Sequence, residues 1–438
     1  MSKPYQLLLI GDSDSQLLAC EALCNFPEDL TVEITINAIP REGTPAGILQ
    51  RAENLGTLWR HDIGSILNHP DLYKFDAIGV YLTGSKISDF RSAMDLLPRI
   101  NRPILFCGFN GVILEKFIEG MSWRVGYDLI CLSGQRDLEA CNRMLKGTPY
   151  EQQATVLTGL KRNSSATEKV NAKHERRKQL VFAEQVVMPR DTKDRAEMIR
   201  ILAGLAKRSP QWDVLIKPRI APNESTFHQA ETHISQTIFQ TLGHPPENFH
   251  IDYRSLPELL SESRLMATVS STAFFDALDF GCRPVALADF GINPANGSHV
   301  FAGSGAWVKL DSIPDLDVLD ETLKRPKKEW LEWMGYGKEW EPGKLIHALQ
   351  ELKREAHKTP SSQITGYMTN SSLSFTQIRR KAEEAILQKN WHEAESLLKL
   401  GCLMRPTHRN VARRLKAVQH QNRLLRRLWL ALTHRKLR

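Results

Sequence analysis

Three small hydroxylated residues, Ser270, Ser271 and Thr272, stand between an apolar run at residues 265–269 and an amphipathic segment that Gly281 ends. This pattern predicts a buried strand that passes through a short turn into a helix. Ligands of doubly wound sheets bind at such strand ends. The first N–H groups of a helix lack internal partners and carry partial positive charge, so the turn suits a phosphate. The alternative is an ordinary helix N-cap.

Two further polar groups follow apolar runs in the same half of the chain. Lys217, Pro218 and Arg219 place two cations at the end of a predicted strand, where they suit a phosphate or a carboxylate. Glu184 and Gln185 follow another predicted strand and could hydrogen-bond a base or a sugar. The alternatives are a solvated basic turn and a turn with exposed side chains.

A third candidate, Gly11 to Ser15, follows the first apolar run and contains Asp12 and Asp14. A carboxylate at a strand end can act as general base on a hydroxyl. Asp14 is the better candidate because it is nearer to the predicted helix start. Alternatively, Asp14 or Ser15 only caps that helix and Asp12 only bonds the turn. The two aspartates have the spacing of an Asp-x-Asp metal motif, but they follow the first strand of the chain, so we expect no metal.

The elements that must position these residues fall into two sets. Over residues 1–158 the predicted strands cover residues 6–10, 32–36, 77–81, 104–106 and 129–132, and helices begin near Ser15, Thr44, Ser88 and Leu114. Residues 159–179 are polar, rich in Lys and Arg, and predict an interdomain linker. Over residues 180–358 the predicted strands lie at 180–183, 213–217, 265–269 and from 250 onward, with helices at 194–207 and 226–242. This alternation predicts two α/β domains, each with a parallel sheet.

The segment from Ser270 to Val285, with Asp276 in its helix, resembles the donor-binding segment of bacterial two-domain (GT-B) glycosyltransferases of the capsule, sialic-acid and Kdo types. With the other groups above and the Gly-rich run at residues 301–305, it is similar to a family of bacterial GT-B-type glycosyltransferases of unassigned specificity. The resemblance covers roughly residues 5–310. It implies two Rossmann-like domains facing a cleft, with the acceptor bound by residues 1–158 and the nucleotide-sugar donor by residues 180–358.

The resemblance also implies roles for the candidate residues. Asp14 or Asp12 would be catalytic, and Gly11, Ser13 and Ser15 would line the acceptor side. The donor-binding residues would be Glu184, Gln185, Lys217, Arg219, Ser270, Ser271, Thr272 and Asp276. The related enzymes often carry Glu at the position of Asp276 and His beside the proline of residues 217–219. Because Lys and Arg flank that proline here, we expect a charge clamp and not acid catalysis by a histidine. The run at residues 301–305 is expected to be a flexible loop near the donor pocket.

Composition narrows the class of protein. The seven cysteines are odd in number and scattered, which predicts reduced core residues of a cytoplasmic protein. No apolar run reaches the roughly 18–20 residues of a membrane span, and no secretory signal is expected. The net charge is +8, but residues 405–438 carry eleven Lys and Arg and no Asp or Glu, so 8 − 11 = −3 remains for residues 1–404. A nucleic-acid-binding body is therefore not expected.

The C-terminal part has its own pattern. Residues 359–374 predict a flexible linker, and residues 375–404 a helical pair whose second half resembles a tetratricopeptide repeat. One repeat cannot bury a solenoid core, so the pair must dock on the main body, on the tail or on another protein. Apolar residues at helical spacing among arginines at residues 408–438 predict a basic amphipathic helix on an anionic membrane surface. Packing of this tail on the helical pair and contact with RNA are the alternatives.

Together these features predict a cytoplasmic glycosyltransferase, peripheral at the inner membrane, that acts in surface polysaccharide or glycolipid synthesis. It would transfer a sugar from a CMP- or UDP-sugar to a saccharide or lipid-linked acceptor without metal or cofactor. One alternative is a nucleotide-sugar 2-epimerase of similar fold, which would form product without a second substrate. Another is a non-catalytic interaction protein that uses the helical pair and the basic tail and binds no nucleotide.

Overall fold

A computed structural model describes residues 3–24, 26, 30–40, 44, 46–94, 102–113, 117–160, 176–186, 188–222, 232–337, 342–356, 374–420 and 422–434. The chain forms two compact units. The first contains Met1–Pro40, Gly47–Thr158 and Glu341–Arg438, and the second contains Arg41–Ala46 and Gly159–Trp340. Each unit is built on one sheet whose paired strands are parallel.

The first sheet contains β1 (Tyr5–Gly11), β2 (Val32–Ala38), β3 (Thr57–Trp59), β4 (Ala77–Tyr81), β5 (Ile104–Cys107), β6 (Leu129–Leu132) and β7 (Thr155–Leu157). Their order is β3-β2-β1-β4-β5-β6-β7, so the direction of winding reverses between β1 and β4. Gly11 pairs with Ala38 on one side and with Tyr81 on the other. The residues after Gly11 and Tyr81 therefore lie at the topological switch point of this sheet.

The first sheet is covered on both faces. Its helices are α1 (Asp14–Ala22), α2 (Ala46–Leu55), α3 (Ile63–Leu67), α4 (Lys86–Met94), α5 (Phe117–Arg124) and α6 (Gln135–Leu145). Successive residues of a strand point to opposite faces. Leu8 and Ile10 accordingly belong to one hydrophobic cluster and Leu7 and Leu9 to another, and all four are buried. This explains why β1 is apolar at every position from 7 to 10.

The second sheet contains β8 (Arg177–Ala183), β9 (Asp213–Lys217), β10 (Phe249–Ile251), β11 (Ser263–Thr268), β12 (Arg283–Leu287) and β13 (Trp307–Val308). Its helices are α7 (Thr192–Arg208), α8 (Ile234–Leu242), α9 (Leu256–Glu262), α10 (Ala273–Asp279), α11 (Leu316–Thr322) and α12 (Lys328–Met334). The order is β10-β9-β8-β11-β12-β13, so the switch point lies between β8 and β11. Short β3, β7 and β13 were not predicted from the sequence.

Helix α13 (Pro342–Ala356) corrects the expected end of the second domain at residue 358. It packs on the first sheet, where Leu345, Ile346 and Leu349 are buried in the cluster that contains Leu7 and Leu9. Lys353 Nζ also lies 2.5 Å from Asp76 Oδ1, at the start of β4. The spacing of apolar residues in this segment indicates a helix, but it does not indicate against which sheet the helix packs.

The predicted linker at residues 159–179 is shorter than expected. Residues 161–175 lie outside the described residues, but β8 already begins at Arg177. Arg176 is buried, and its guanidinium donates to the carbonyl oxygens of Leu260 and Ser263, each at 2.9 Å. Residues 359–373 of the second predicted linker and residues 226–231 of a predicted helix also lie outside the described residues.

The C-terminal helices are α14 (Phe375–Leu387), α15 (Trp391–Met404), α16 (Arg409–Gln419) and α17 (Arg423–His434). Within the first unit the pair α14–α15 packs at the end of α6, since buried Lys399 donates to the carbonyl oxygens of Arg143 in α6 and of Lys146 just after it. The chain after α6 approaches α15 closely here, because a Cβ atom added at Gly147 would lie 2.5 Å from Ser396 Oγ. The φ of Gly147 is +72°, which also favours glycine.

The basic tail is not one amphipathic helix, as we expected, but two. Val411, Leu415 and Val418 of α16 are buried in the same hydrophobic cluster as α14 and α15. The apolar positions of α16 therefore form core. Only α17 retains exposed apolar positions.

No helix in the described part of the chain is long and apolar enough to span a membrane. The seven cysteines are unpaired, and all except Cys24 are buried.

Candidate functional site

The switch point of the first sheet is occupied by a buried carboxylate. Asp12 follows β1 and is 2% exposed. Its Oδ1 accepts a hydrogen bond from Thr83 Oγ1 at 2.7 Å, and its Oδ2 lies 3.0 Å from Lys86 Nζ. Thr83 follows β4 and Lys86 begins α4, so the contact joins the two strands at which winding reverses. Both carboxylate oxygens of Asp12 therefore have partners from the loop after β4 and the start of α4.

Asp14 differs from Asp12 in burial. It is the first residue of α1 and is partly exposed. Ser13 Oγ and Ser15 Oγ lie 3.3 Å apart, and Asn110 Nδ2 donates to Ser15 Oγ at 3.1 Å. Asn110 comes from the loop after β5, so polar groups from three adjacent strand ends surround the start of α1.

The loop that carries Asn110 is held by Arg124. Arg124 Nε donates to the Gly108 carbonyl oxygen at 2.8 Å, and its guanidinium lies 3.9 Å from the centre of the Phe109 ring. A Cβ at Gly108 would lie 2.6 Å from Tyr81 Oη, so only glycine fits there without displacement. Sequence reasoning missed Thr83, Lys86 and Asn110. The feature of the sequence that could have indicated Thr83 and Lys86 is the short polar run at residues 83–86, directly after β4.

A second buried carboxylate, Asp137, lies near the end of β6 in the first turn of α6. Burial raises its pKa to about 6, against the opposing effects of the Arg136 guanidinium and of a hydrogen bond from the Ser133 backbone. Arg136 Nη1 lies 3.6 Å from Asp137 Oδ1, which is too long for a close ion pair. This edge of the sheet therefore carries a buried carboxyl group of raised pKa, and sequence reasoning missed it.

The switch point of the second sheet joins two predicted site residues. Gln185 follows β8, and its Oε1 accepts from the Ser270 N–H at 2.9 Å. Its Nε2 also lies 3.3 Å from Ser270 Oγ, and Thr268 Oγ1 lies 3.4 Å from Oε1. The amide side chain thus fastens the turn after β11 to the end of β8.

Both carboxylate oxygens of Glu184 have partners within the protein. Its side chain is 4% exposed and its Oε1 lies 2.6 Å from Arg195 Nη2 of α7. Its Oε2 accepts from the Arg219 N–H at 3.1 Å. Both oxygens are engaged, so Glu184 is better described as a positioning residue than as a direct ligand of a donor. Its effect is to fix the backbone that carries Arg219.

The two basic residues at the end of β9, Lys217 and Arg219, differ in exposure. Lys217 is partly buried, and its Nζ donates to the Pro218 carbonyl oxygen at 2.5 Å. Arg219 is exposed. Because β9 is the neighbour of β8 on the side away from β11, this cation follows the strand next to the switch point. Arg219 is therefore the better placed of the two to meet an anion.

The Ser270–Thr272 turn uses most of its own N–H groups. The N–H of Ser270 bonds Gln185, that of Ser271 bonds Thr268 Oγ1 at 3.3 Å, and that of Ala273 bonds Ser271 Oγ at 3.2 Å. The following helix, α10, has only seven residues. Ser271 and Thr272 are partly exposed, as is Asp276 in the first turn. The groups of this turn that a ligand can reach are thus mainly the hydroxyls of Ser271 and Thr272.

The Gly-rich run at residues 301–305 is a packed turn and not the flexible loop that we expected. Phe301 is buried, with its ring 5.1 Å from that of Phe274 and 5.9 Å from that of Trp330. Ser304 is also buried and its Oγ accepts from the Ala306 N–H at 3.0 Å. The large aromatic residue at the start of the run explains the difference, because it anchors the glycines to α10 and α12.

Among the residues that the structure describes, no group of three or more His, Cys, Asp or Glu side chains is arranged to hold a metal ion. The described candidates instead form two separate sets, one at each switch point. The first set is rich in carboxylates and hydroxyls, and the second combines hydroxyls with a guanidinium.

Solved structures share this architecture at low sequence identity. A "putative UDP-N-acetylglucosamine 2-epimerase" from Listeria monocytogenes is 14% identical, with a TM-score of 0.51 over 82% of this chain and 99% of that one. MnaA of S. aureus, solved with UDP, is 12% identical, with a TM-score of 0.50 over 82% and 99%. MurG of Acinetobacter baumannii is 11% identical, with a TM-score of 0.43 over 80% and 100%. For the first two structures, whose TM-scores are 0.51 and 0.50, the likeness shows the fold alone, which is two Rossmann-like domains of the GT-B kind.

A search among curated protein sequences finds no significant match. A family profile, in contrast, covers most of the sequence, including both switch points and most of α13. The family is described as "Putative glycosyltransferase (DUF6716)" and matches residues 7–352, so the chain belongs to that family.

Proposed function

We propose that this protein transfers a sugar from a nucleotide-sugar donor to a saccharide or lipid-linked acceptor without a metal ion. The acceptor is assigned to the sheet domain of residues 1–158 and the donor to the sheet domain that begins with β8. The observation that carries the proposal is the different chemistry of the two switch points. One offers the partly exposed carboxylate of Asp14. The other offers the hydroxyls of Ser271 and Thr272, with the exposed Arg219 after β9, the strand next to β8.

On the acceptor side, Asp14 is the proposed general base. It removes the proton from an acceptor hydroxyl as the oxygen forms its bond to the anomeric carbon of the donor sugar. Asp12, held by Thr83 and Lys86, keeps the loop after β1 in place. Gly11, Ser13 and Ser15 complete the acceptor side of this site.

On the donor side, the bond between the anomeric carbon and the phosphate oxygen breaks, and negative charge develops on the departing nucleotide. Arg219 and Lys217 are proposed to stabilise that charge, with the hydroxyls of Ser271 and Thr272 as hydrogen-bond donors. Such fixed positive groups supply the stabilisation for which other transferases use a metal. Asp276 is a candidate for contact with the ribose.

The donor is proposed to be a UDP- or CMP-sugar and the setting surface polysaccharide or glycolipid synthesis. The proposed location is the cytoplasm, at the inner face of the membrane where lipid-linked acceptors are built. UDP in the structure of MnaA concerns that protein alone, but it makes UDP the first nucleotide to test.

The proposal is tested by measuring binding and transfer together. Thermal unfolding is followed with UDP-, CMP-, GDP- and dTDP-sugars, since a ligand at about 100 times its dissociation constant stabilises the fold by about 2.7 kcal/mol. Arg219→Gln should weaken nucleotide binding by about tenfold to a hundredfold, because a hydrogen bond to a charged group is lost. Arg177→Gln is the matched control, because this exposed arginine begins β8 at the opposite edge of the same sheet.

The results separate the candidate functions. Release of free nucleotide only when an acceptor is present supports transfer. An isomer formed from a UDP-sugar without any acceptor identifies an epimerase and rejects the proposal. If no nucleotide-sugar shifts the unfolding temperature, or if both arginine variants bind alike, the donor site is wrong.

A further inference from the structure

Helix α17 is fixed to the first unit by one of its faces. The Arg426 guanidinium lies 4.8 Å from the ring centre of Trp391, and its Nε and Nη2 donate to the His420 carbonyl oxygen at 2.9 and 2.7 Å. Leu430, one turn later, is buried in the hydrophobic cluster. Asn422 Oδ1 accepts from the Leu424 N–H at 2.9 Å at the helix start. The orientation of α17 is therefore set by packing.

The opposite face of α17 is apolar and exposed. Of the eleven large hydrophobic side chains that are exposed in the described part of the chain, five belong to this helix: Leu424, Leu425, Leu428, Trp429 and Leu432. At 3.6 residues per turn they share an arc of about 140°. Exposed apolar surface concentrated in this way marks an interaction site, whereas single exposed leucines are ordinary.

By helix periodicity, positive charge lies along one side of this apolar face. Arg423 and Arg427 occupy the helix positions between the apolar arc and the packed face, and no Asp or Glu occurs from residue 405 to residue 438. The helix is about 18 Å long at 1.5 Å per residue, which suits a helix lying flat in an interface. Leucines and a tryptophan on one side with arginines on the other is the composition of helices that bind membrane surfaces.

We infer that the exposed face of α17, formed by Leu424, Leu425, Leu428, Trp429 and Leu432, docks on an anionic lipid surface. The leucines enter the boundary between headgroups and acyl chains, and the arginines meet the lipid phosphates. RNA would satisfy the arginines but would leave the leucines in water. A protein partner would need an acidic rim around an apolar groove. The inference does not depend on the transferase proposal, because it concerns a surface outside both switch points.

The test uses the full chain with point substitutions. Sedimentation with phosphatidylglycerol–phosphatidylcholine vesicles is compared with sedimentation with phosphatidylcholine vesicles, without nucleotide. The triple variant Leu424→Glu, Leu428→Glu, Leu432→Glu should lose anionic-vesicle binding by roughly tenfold or more, and salt should weaken wild-type binding. The matched control is Phe239→Glu, Ile292→Glu, Leu387→Glu, which changes three equally exposed apolar residues elsewhere.

Loss of binding in the α17 variant with retention in the control supports the inference. It is overturned if the wild type does not sediment with anionic vesicles, or if both triple variants bind like the wild type. It is also overturned if light scattering shows a wild-type dimer that the α17 variant dissociates, since the face would then join two copies of the chain. Unchanged unfolding temperatures show that the variants are folded. Nucleotide binding, measured separately, reports on the transferase proposal.

Discussion

Gln185 and Ser270 are 85 residues apart in the chain, yet the side-chain oxygen of Gln185 accepts the backbone N–H of Ser270 at 2.9 Å. The contact spans β8 and β11, the two strands between which the second sheet reverses its winding. It explains why a glutamine follows a buried strand: the amide can accept from the N–H and also donate toward Ser270 Oγ.

Gln185→Ala should therefore loosen the Ser270–Thr272 turn. The variant leaves the buried Ser270 N–H without its partner, which costs about 1–3 kcal/mol. The unfolding free energy should fall by about that amount in urea, and nucleotide-sugar affinity should fall with it. Gln240→Ala, at an exposed position of α8, should change neither. Equal stability of the two variants would mean that the turn keeps its shape without Gln185.

Glu184→Gln should lower the unfolding free energy strongly, although glutamine and glutamate side chains are similar in size. It removes the charged partner of the nearly buried Arg195, which keeps its hydrogen bonds to backbone carbonyl oxygens. Breaking a buried ion pair by removing one charge costs about 3–5 kcal/mol. Glu197→Gln is the matched control, because Glu197 lies 2.7 Å from Arg200 at the surface of the same helix. Exposed pairs contribute at most about 1 kcal/mol. Urea denaturation of both variants measures the difference, and a similar loss in both would contradict the positioning role.

The strands were largely predictable because each buried strand is a continuous apolar run. β4, β6 and β9 lie where the sequence indicated, whereas β3 and β7, of three residues each, gave no clear signal. The polar candidates were predicted at strand ends, and two of them, Asp12 and Ser270, follow strands that border the switch points. Their partners were not predictable, because the contacts of Asp12 with Lys86 and of Glu184 with Arg195 depend on where α4 and α7 lie.

The burial of the basic tail, residues 408–438, was likewise not predictable from its sequence pattern. Val411 and Leu415 share helical spacing with Leu425 and Leu428, so the sequence indicated a single amphipathic helix. Helix α16 ends at Gln419 and α17 begins at Arg423, although the sequence between them contains no proline or glycine. The first pair is buried in the core and the second is exposed to solvent. Periodicity identifies an apolar face but does not identify what covers it. Deleting residues 408–438 would thus remove part of the core, and point substitutions in α17 are the sound test.

Asp14→Asn should lower transfer to a true acceptor while leaving donor binding unchanged. A general base contributes roughly 10²–10⁴-fold to the rate, and asparagine keeps the size of aspartate. Asp89→Asn, an exposed aspartate in the first turn of α4, is the control and should keep full turnover. The measurement is steady-state turnover with saturating donor. Near-full activity of Asp14→Asn together with loss in a stable Asp12→Asn variant would move the base to Asp12.

Asp137 should make the protein less stable as the pH rises from about 4 to about 6. Burial raises its pKa in the folded state from an ordinary value of 3.8 to about 6. Between these values the folded state binds more protons than the unfolded state, so the unfolding free energy falls with increasing pH. The loss of unfolding free energy is at most about 3 kcal/mol and is complete above the folded-state pKa.

The variant Asp137→Asn has no carboxyl group to titrate at this position. At pH 8 its unfolding free energy should exceed that of the wild type by up to about 3 kcal/mol, and at pH 4 the two should be similar. Urea denaturation across this range gives the slopes, with Glu139→Gln on the exposed side of α6 as control. The same pH slope in wild type and Asp137→Asn would show that the pKa of Asp137 is not raised in the folded protein, with Arg136 a stronger partner than its 3.6 Å separation indicates.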